Sequence, residues 1–272
     1  MILSAERKLN ILEQLHAHGK VNAVEIARLF DVSMETIRRD LDSLEKEGVL
    51  KRVHGGAIKS NYKIGEPPFV QRQGLHIEAK QKVAKQAVQV LKDGDTIVMG
   101  GGTTILEMAR AIRGVNNLTI LTNSVPTANF LMDSLNQGLF HGKVIILGGE
   151  LNPELHSARG TVCEKMLDLF NVHKAFISPG GISLSGVTEY DLEDSGISKK
   201  MIEIAKEVVI VVDHSKIGIE ALSKISPFEG IDIIICDQDA PSDWDPHLKN
   251  VEWITAGKEQ EAKCDISSIL KI

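Results

Sequence analysis

The chain has 272 residues, 43% hydrophobic and 25% charged, the composition of an ordinary globular protein with room for one large domain or two smaller ones. Three scattered cysteines exclude a disulfide framework and fit reduced thiols in a cytoplasmic setting; no apolar run approaches the roughly 20 residues of a membrane span. The net charge of -6 argues against a strongly basic nucleic-acid binder, yet it is uneven: residues 1–60 carry 10 Lys/Arg against 9 Asp/Glu, and the remainder carries 21 against 28.

The polar N-terminus shows no signal peptide. A first helix is expected from Ser4 to about Ala17, with Ile11, Leu12 and Leu15 inward and Gly19 as its stop. A second starts at Val21-Asn22. Asn22 and Glu25 have the spacing of a capping box, Val21 and Ile26 that of a hydrophobic staple, and the helix ends near Phe30. After the turn at Asp31-Val32, Ser33 caps a third helix. Its periodicity puts Met34, Ile37, Leu41 and Leu44 on one stripe. Glu35, Thr36, Arg38, Arg39 and Ser43 then point away, a set that can donate to guanine, accept from cytosine and bind phosphate. Gly48 stops that helix. Val49–Ile58 reads as a hairpin around a Gly55-Gly56 turn, with Lys51, Arg52 and His54 on a wing beside the third helix. This is the layout of a winged helix-turn-helix, whose third helix enters the major groove. The competing reading, a helical module with a solvated charged face, loses ground because cap, Arg pair and wing occur together.

Thr36-Ile37-Arg38-Arg39-Asp40-Leu41, followed by Leu44-Glu45, Gly48, Leu50, Arg52 and His54-Gly55-Gly56-Ala57, resembles the DeoR-type helix-turn-helix of bacterial sugar-catabolism repressors over residues 6–57. The resemblance implies operator DNA as a partner, with Arg38 and Arg39 among the contacts.

Residues 59–77, broken by Asn61, Gly65, Pro67, Pro68 and Gly74, read as a linker between a head (1–58) and a body (78–272). A helix is expected over Glu78–Leu91. Strands are then expected at Thr96–Met99, Leu118–Thr122, Val144–Leu147, Ala175–Ser178, Val208–Asp213 and Ile231–Asp237. Helices are expected at Thr104–Ile112, Val125–Leu135, Thr161–Phe170 and Asp194–Lys206. The alternation predicts an α/β layer with a mostly parallel sheet.

Strand ends in such a sheet lie along one edge, where ligands bind. Here they carry Gly100-Gly101-Gly102-Thr103-Thr104, Asn123-Ser124, Gly148-Gly149, Pro179-Gly180-Gly181 and Asp213-His214-Ser215-Lys216. Glycines admit a close ligand, helix starts favour an anion, and Lys216 adds a cation, so a small phosphorylated polyol fits. Neither a P-loop nor a Rossmann dinucleotide motif is present. The blocks at 102–104, 121–124, 147–149, 181–188 and 213–216 are similar to the DeoR C-terminal sensor domain, a fold similar to ribose-5-phosphate isomerase. That resemblance implies a phosphorylated sugar effector bound by these loops, which include Thr188. The chain departs from the family pattern at Gly100 and Ser178-Pro179.

No metal spacing or cofactor motif is found. His156 and His214 read as loop residues that could also line the pocket. Glu189, Asp191 and Glu193 read as a solvated acidic loop or, less readily, a base cluster. Ile266, Ile269, Leu270 and Ile272 suit a packed tail or a subunit contact. The expected function is a transcriptional repressor, not an enzyme, working as a dimer or tetramer because one short reading helix binds weakly. The alternative is a sugar-phosphate isomerase or lactonase with Asp213 or Glu189 as base and Lys216 stabilising charge.

Overall fold

The computed structural model describes residues 4–46, 50–53, 55–59 and 66–258. It divides into two compact units, Met1–Leu75 and His76–Ile272, the break falling inside the 59–77 segment. Gly48, His54, Asn61, Gly65, Cys264 and the apolar tail lie outside the described residues.

The first unit comprises α1 (Ser4–His18), β1 (Lys20–Asn22), α2 (Ala23–Leu29), α3 (Met34–Lys46), β2 (Leu50–Val53), β3 (Gly56–Lys59) and a single turn, α4 (Phe69–Arg72). Ile11, Leu15, Val21, Ile26, Ile37, Leu41, Leu44, Leu50 and Ala57 close its core, with Leu12 and Met34 packed at the margin. Asn22 caps α2 by accepting from the amides of Val24 and Glu25 at 2.9 and 3.4 Å. Ser33 caps α3 through the Thr36 amide at 3.1 Å. Sequence periodicity did not reveal β1. Its three residues pair with β3, giving an antiparallel sheet of order β1-β3-β2. The hairpin also differs from a Gly55-Gly56 turn: Val53 pairs with Gly56, so Gly56 already belongs to β3. A side chain at Gly56 would collide with the Val21 carbonyl, which is why glycine stands where β1 and β3 approach.

A polar seam joins α1 to α3. Arg7 Nε donates to Asp40 Oδ2 at 2.7 Å, Ser4 Oγ to Asp40 Oδ1 at 2.9 Å, and Lys8 Nζ to Ser43 Oγ at 2.7 Å. The Arg7–Asp40 pair is buried on both sides.

The second unit begins with α5 (Ile77–Ala87), extended by a 3-10 turn at Val88–Val90. Then follow β4 (Thr96–Met99), α6 (Thr103–Ala111), β5 (Leu118–Thr122), α7 (Val125–Asn136), β6 (Gly142–Ile146), β7 (Glu150–Asn152), β8 (Ser157–Arg159) and α8 (Thr161–Leu167). The chain continues through β9 (Val172–Ile177), β10 (Gly181–Ser183), β11 (Gly186–Glu189), α9 (Leu192–Glu203), β12 (Ala205–Val212), β13 (Ser223–Ser226), β14 (Ile233–Cys236) and β15 (Glu252–Thr255). Seven strands form one sheet in the order β15-β14-β12-β9-β4-β5-β6, every pair parallel. Alternate side chains divide the core. Ile97, Met99, Phe176, Val209 and Val211 pack with α5, α6 and α7, while Val98, Ala175, Ile177, Val208, Ile210 and Val212 pack with α8 and α9.

Ala205-Lys206-Glu207 reads as helix by propensity but opens β12. Ala205 pairs with Val172 and Glu207 with Lys174, so sheet pairing overrides local preference. A small antiparallel sheet, β10-β11-β13, and the β7–β8 hairpin also go beyond the expected elements.

Candidate functional site

On the first unit, α3 exposes both Arg38 and Arg39. The Arg39 side chain is 79% exposed and pairs with Glu35, one helical turn back, at 3.3 Å. The Ser33 and Thr36 hydroxyls lie 2.9 Å apart at the start of the helix. Two nominated residues have other engagements. Ser43 is half-buried and accepts from Lys8, so its hydroxyl faces α1. Arg52 pairs with Asp42, and its amide donates to Glu45 Oε1 at 2.7 Å, which pins the wing to α3. Lys51 lies in β2; Gly55 takes the turn at φ +84°, its carbonyl accepting from the Ala23 amide at 2.9 Å.

On the second unit the site follows from topology. The chain leaves β4 toward β5 and β6, and leaves β9 in the other direction, so the connections part between the neighbouring strands β4 and β9. A crevice at the C-terminal strand ends belongs there. Gly100-Gly101-Gly102 leaves β4 on one side, and Ser178-Pro179-Gly180 leaves β9 on the other. Gly102 starts α6 at φ +120° without any side-chain cap, and a Cβ on it would meet Ser178 Cβ at 3.3 Å. The amides of the first turn, including those of buried Thr103 and Thr104, therefore rely on something other than a capping side chain. Asn123 and Ser124 follow β5; Ser124 Oγ caps α7 through the Thr127 amide at 3.3 Å.

Two strands from β4, at the end of β12, Asp213 is 1% exposed. Burial pushes its carboxyl up, but the Ser215 hydroxyl, Lys80, Lys216 and His76 together outweigh that, and the net shift is downward. A buried carboxylate held ionised among cations thus stands at the end of β12. Beside it His214 Nδ1 lies 2.8 Å from Asp237 Oδ2, and its ring meets His76 edge-on at 5.0 Å.

Other nominated residues serve the protein itself. Space at Gly149 is taken by the Arg159 carbonyl, at Gly180 by Tyr190 and Glu189, and at Gly181 by Ile219. Thr188 donates to the Gly181 carbonyl at 3.3 Å and accepts from the Ala221 amide at 2.9 Å. The three acidic residues do not form one base cluster: Glu189 accepts from the Tyr190 amide, while Asp191, which caps α9, and Glu193 both face Arg159.

With this geometry in place, the comparison with known families is direct. Residues 7–62 match the model described as the DeoR-like helix-turn-helix domain, and residues 75–238 match the DeoR C terminal sensor domain. The chain belongs to the DeoR family. A putative aga operon transcriptional repressor of Escherichia coli is 31% identical over 243 residues, covering 88% of each chain. The HTH-type transcriptional regulator IolR of Bacillus subtilis is 34% identical, covering 83% of this chain and 88% of the relative. Among solved structures, ribose 5-phosphate isomerase A from Neisseria gonorrhoeae aligns with a TM-score of 0.35 and 13% identity over 55% of each chain.

This DeoR-family chain is therefore a DNA-binding transcriptional regulator with a sensor domain. No group of His, Cys, Asp or Glu able to hold a metal ion occurs among the described residues, and no described helix is long and apolar enough to cross a membrane. Periodicity and motif reading passed over Lys80, Arg159 and Asp194. Lys80 left a signal: a lysine on the stripe it shares with Val83, Ala84 and Ala87, hence buried. Arg159 left none. It gathers Glu193 at 2.9 Å, Asp191 at 3.4 Å and Asp194 at 3.9 Å from the start of α9, and Glu150 at 3.7 Å from β7. Its Nε lacks an aligned acceptor, so the short Glu193 contact is an ion pair rather than a directed hydrogen bond.

Burial, then the like charge of Asp191, pushes the Asp194 carboxyl up to about 6 despite Arg159 and Asn152. The folded state therefore holds a proton more tightly than the unfolded chain, whose value is 3.8. The resulting penalty is absent below the unfolded value, grows as pH rises toward 6 and stays constant above it. Asp194→Asn is expected to raise the melting temperature at about pH 7 and to lose that advantage near about pH 4. Calorimetry at both values checks this; an equal effect at both contradicts it.

Proposed function

We propose that this regulator is a repressor of a carbohydrate-utilisation operon, that it works as a dimer or tetramer, and that a phosphorylated sugar controls its operator binding. The observation that carries the reading is the coexistence, in one chain, of an exposed Arg38–Arg39 face and an uncapped helix start at a topological switch point. A relative of 30% identity named as a lactose phosphotransferase system repressor supports the sugar link. The control is linkage. Effector binds one arrangement of the sensor domains better, which changes the spacing of two reading heads on paired half-sites. Residues 1–60 carry 10 basic against 9 acidic side chains, so a single head has little electrostatic affinity and depends on its neighbour. A cytoplasmic setting follows from this role.

Within the head, Arg38 and Arg39 are the proposed base or phosphate contacts, with Ser33, Thr36 and Glu35 beside them and Lys51, Arg52, His54 and Gly55 on the wing. In the crevice, Gly100–Thr104 receive the anionic group, and Asn123, Asp213 and Lys216 contact the remainder. Arg39→Ala is expected to cost ~1–3 kcal/mol of preference for operator over random DNA if the guanidinium bridges a base. Fluorescence anisotropy on both DNAs across a salt series reads this out. Equal loss on both makes Arg39 a phosphate contact, and binding that ignores salt removes DNA from the account. Turnover of pentose or hexose phosphates by the full chain would favour the enzyme reading instead.

A further inference from the structure

Near the C-terminal end of β5, Asn123 Oδ1, Ser157 Oγ and, inside the first turn of α7, Thr127 Oγ1 are buried side-chain oxygens with no hydrogen-bond partner among the described residues; the first two lie toward the glycine run after β4. Asn123 and Ser157 are each 3% exposed. A buried polar atom left unpaired bears its full desolvation cost, so such atoms call for an explanation. Asn123 and Ser157 share one locality. Ser124 and Ser157 form a bridge between the end of β5 and β8. The Ala158 amide donates to the Asn123 carbonyl at 2.8 Å, and Asn123 Nδ2 donates to the Ala158 carbonyl at 2.9 Å. On the other side, a Cβ placed on Gly101 would find Ser157 Cβ at 3.7 Å as its nearest neighbour. The β7–β8 hairpin thus lays Ser157 against the glycine run that leads into α6.

The Nδ2 bond to Ala158 fixes which way the Asn123 amide points, so its free atom is an oxygen and only accepts. It requires a donor and disfavours phosphate or carboxylate oxygen. The start of α6 requires the reverse, an acceptor with negative charge. One ligand satisfies both by turning its anionic end to α6 and a hydroxyl to Asn123.

We propose that Asn123 and Ser157 form a hydroxyl-reading subsite of the effector crevice. In it a ligand alcohol donates to Asn123 Oδ1 and shares a hydrogen bond with Ser157 Oγ, while the anion lies at the first turn of α6. The inference rests on the effector reading above and adds the ligand's orientation and the role of the β7–β8 hairpin. The ligand class is an anionic polyol, not a simple anion.

Ser157→Ala is the cleaner variant, because it breaks no hydrogen bond in the protein, whereas Asn123 also holds the hairpin. The full chain and this variant are titrated calorimetrically with ribose 5-phosphate, glucose 6-phosphate, fructose 6-phosphate, tagatose 6-phosphate and inorganic phosphate. The variant is expected to bind the best of the sugar phosphates about tenfold more weakly and inorganic phosphate unchanged. Its ligand-free melting temperature is expected to equal or exceed that of the parent, since a buried orphan hydroxyl is gone. Unchanged sugar-phosphate affinity, a parallel loss for inorganic phosphate, or a lower ligand-free melting temperature each overturns the subsite while leaving the effector reading standing. If no sugar phosphate binds the parent chain, the effector reading fails and the subsite fails with it.

Discussion

Asp40→Ala is expected to destabilise the N-terminal unit by about 3–5 kcal/mol and to abolish DNA binding at ordinary temperatures. The residue sits between the exposed Arg39 and the buried Leu41, but its carboxylate turns inward. It takes the Arg7 guanidinium at 2.7 Å and the Ser4 hydroxyl at 2.9 Å, both from α1. Arg7 is 7% exposed, so removing Asp40 takes from a buried cation the carboxylate that it meets at 2.7 Å. In a unit this small the change corresponds to a melting shift of about 15 °C or more. Circular dichroism melts of the full chain, followed through the helical signal, check the size. Arg7→Met in the Asp40→Ala background should recover part of the loss, because the charge itself is then gone. A melt within about 2 °C of the parent would show that the seam does not hold α3 in place.

The second large effect belongs to the crevice. Gly102→Ala is expected to lower effector affinity at least about tenfold while the chain stays folded and still binds DNA. Glycine alone is at ease at φ +120°, and a residue forced there costs ~1–3 kcal/mol. The added methyl would also press on Ser178 Cβ at 3.3 Å, across the gap between β4 and β9. Relief must come from moving the first turn of α6, where the anion is proposed to bind. Gly114→Ala is the control. It has φ +72° but no atom within 4 Å of a new Cβ, so it carries strain without obstruction. Melting and ligand titration of both variants separate the effects: both should lose stability, and only Gly102→Ala should lose effector. Equal effector affinity in the two variants contradicts the placement of the anion at α6.

Where the sequence was informative, the physics was local. Ile37, Leu41 and Leu44 recur with the helical period, so the inward stripe of α3 could be read, and Arg38 and Arg39 followed as its outward face. The inner strands of the parallel sheet are apolar runs bounded by glycine or polar turns, and their existence was readable for the same reason. The rest depends on partners distant in the chain. Lys20–Asn22 is a strand only because β3 lies beside it, and Ala205-Lys206-Glu207 is strand only because β9 does. The crevice divides in the same way. Gly102 and Thr103 carry their meaning in the strand–glycine–helix succession. Thr188 has the look of a ligand residue, but its hydroxyl is used between Gly181 and Ala221. Ser157 and Arg159, on the β7–β8 hairpin, have no local mark at all. Their relation to Asn123 and to the acidic start of α9 exists only after folding.

The measurement that bears most directly on the account is fluorescence anisotropy of labelled DNA flanking the chain's own gene, with the full chain, titrated with a panel of sugar phosphates. The account predicts salt-sensitive binding that one sugar phosphate shifts by about 5–150-fold, with inorganic phosphate unable to substitute. DNA binding that no sugar phosphate alters, or a shift that inorganic phosphate reproduces in full, would contradict it.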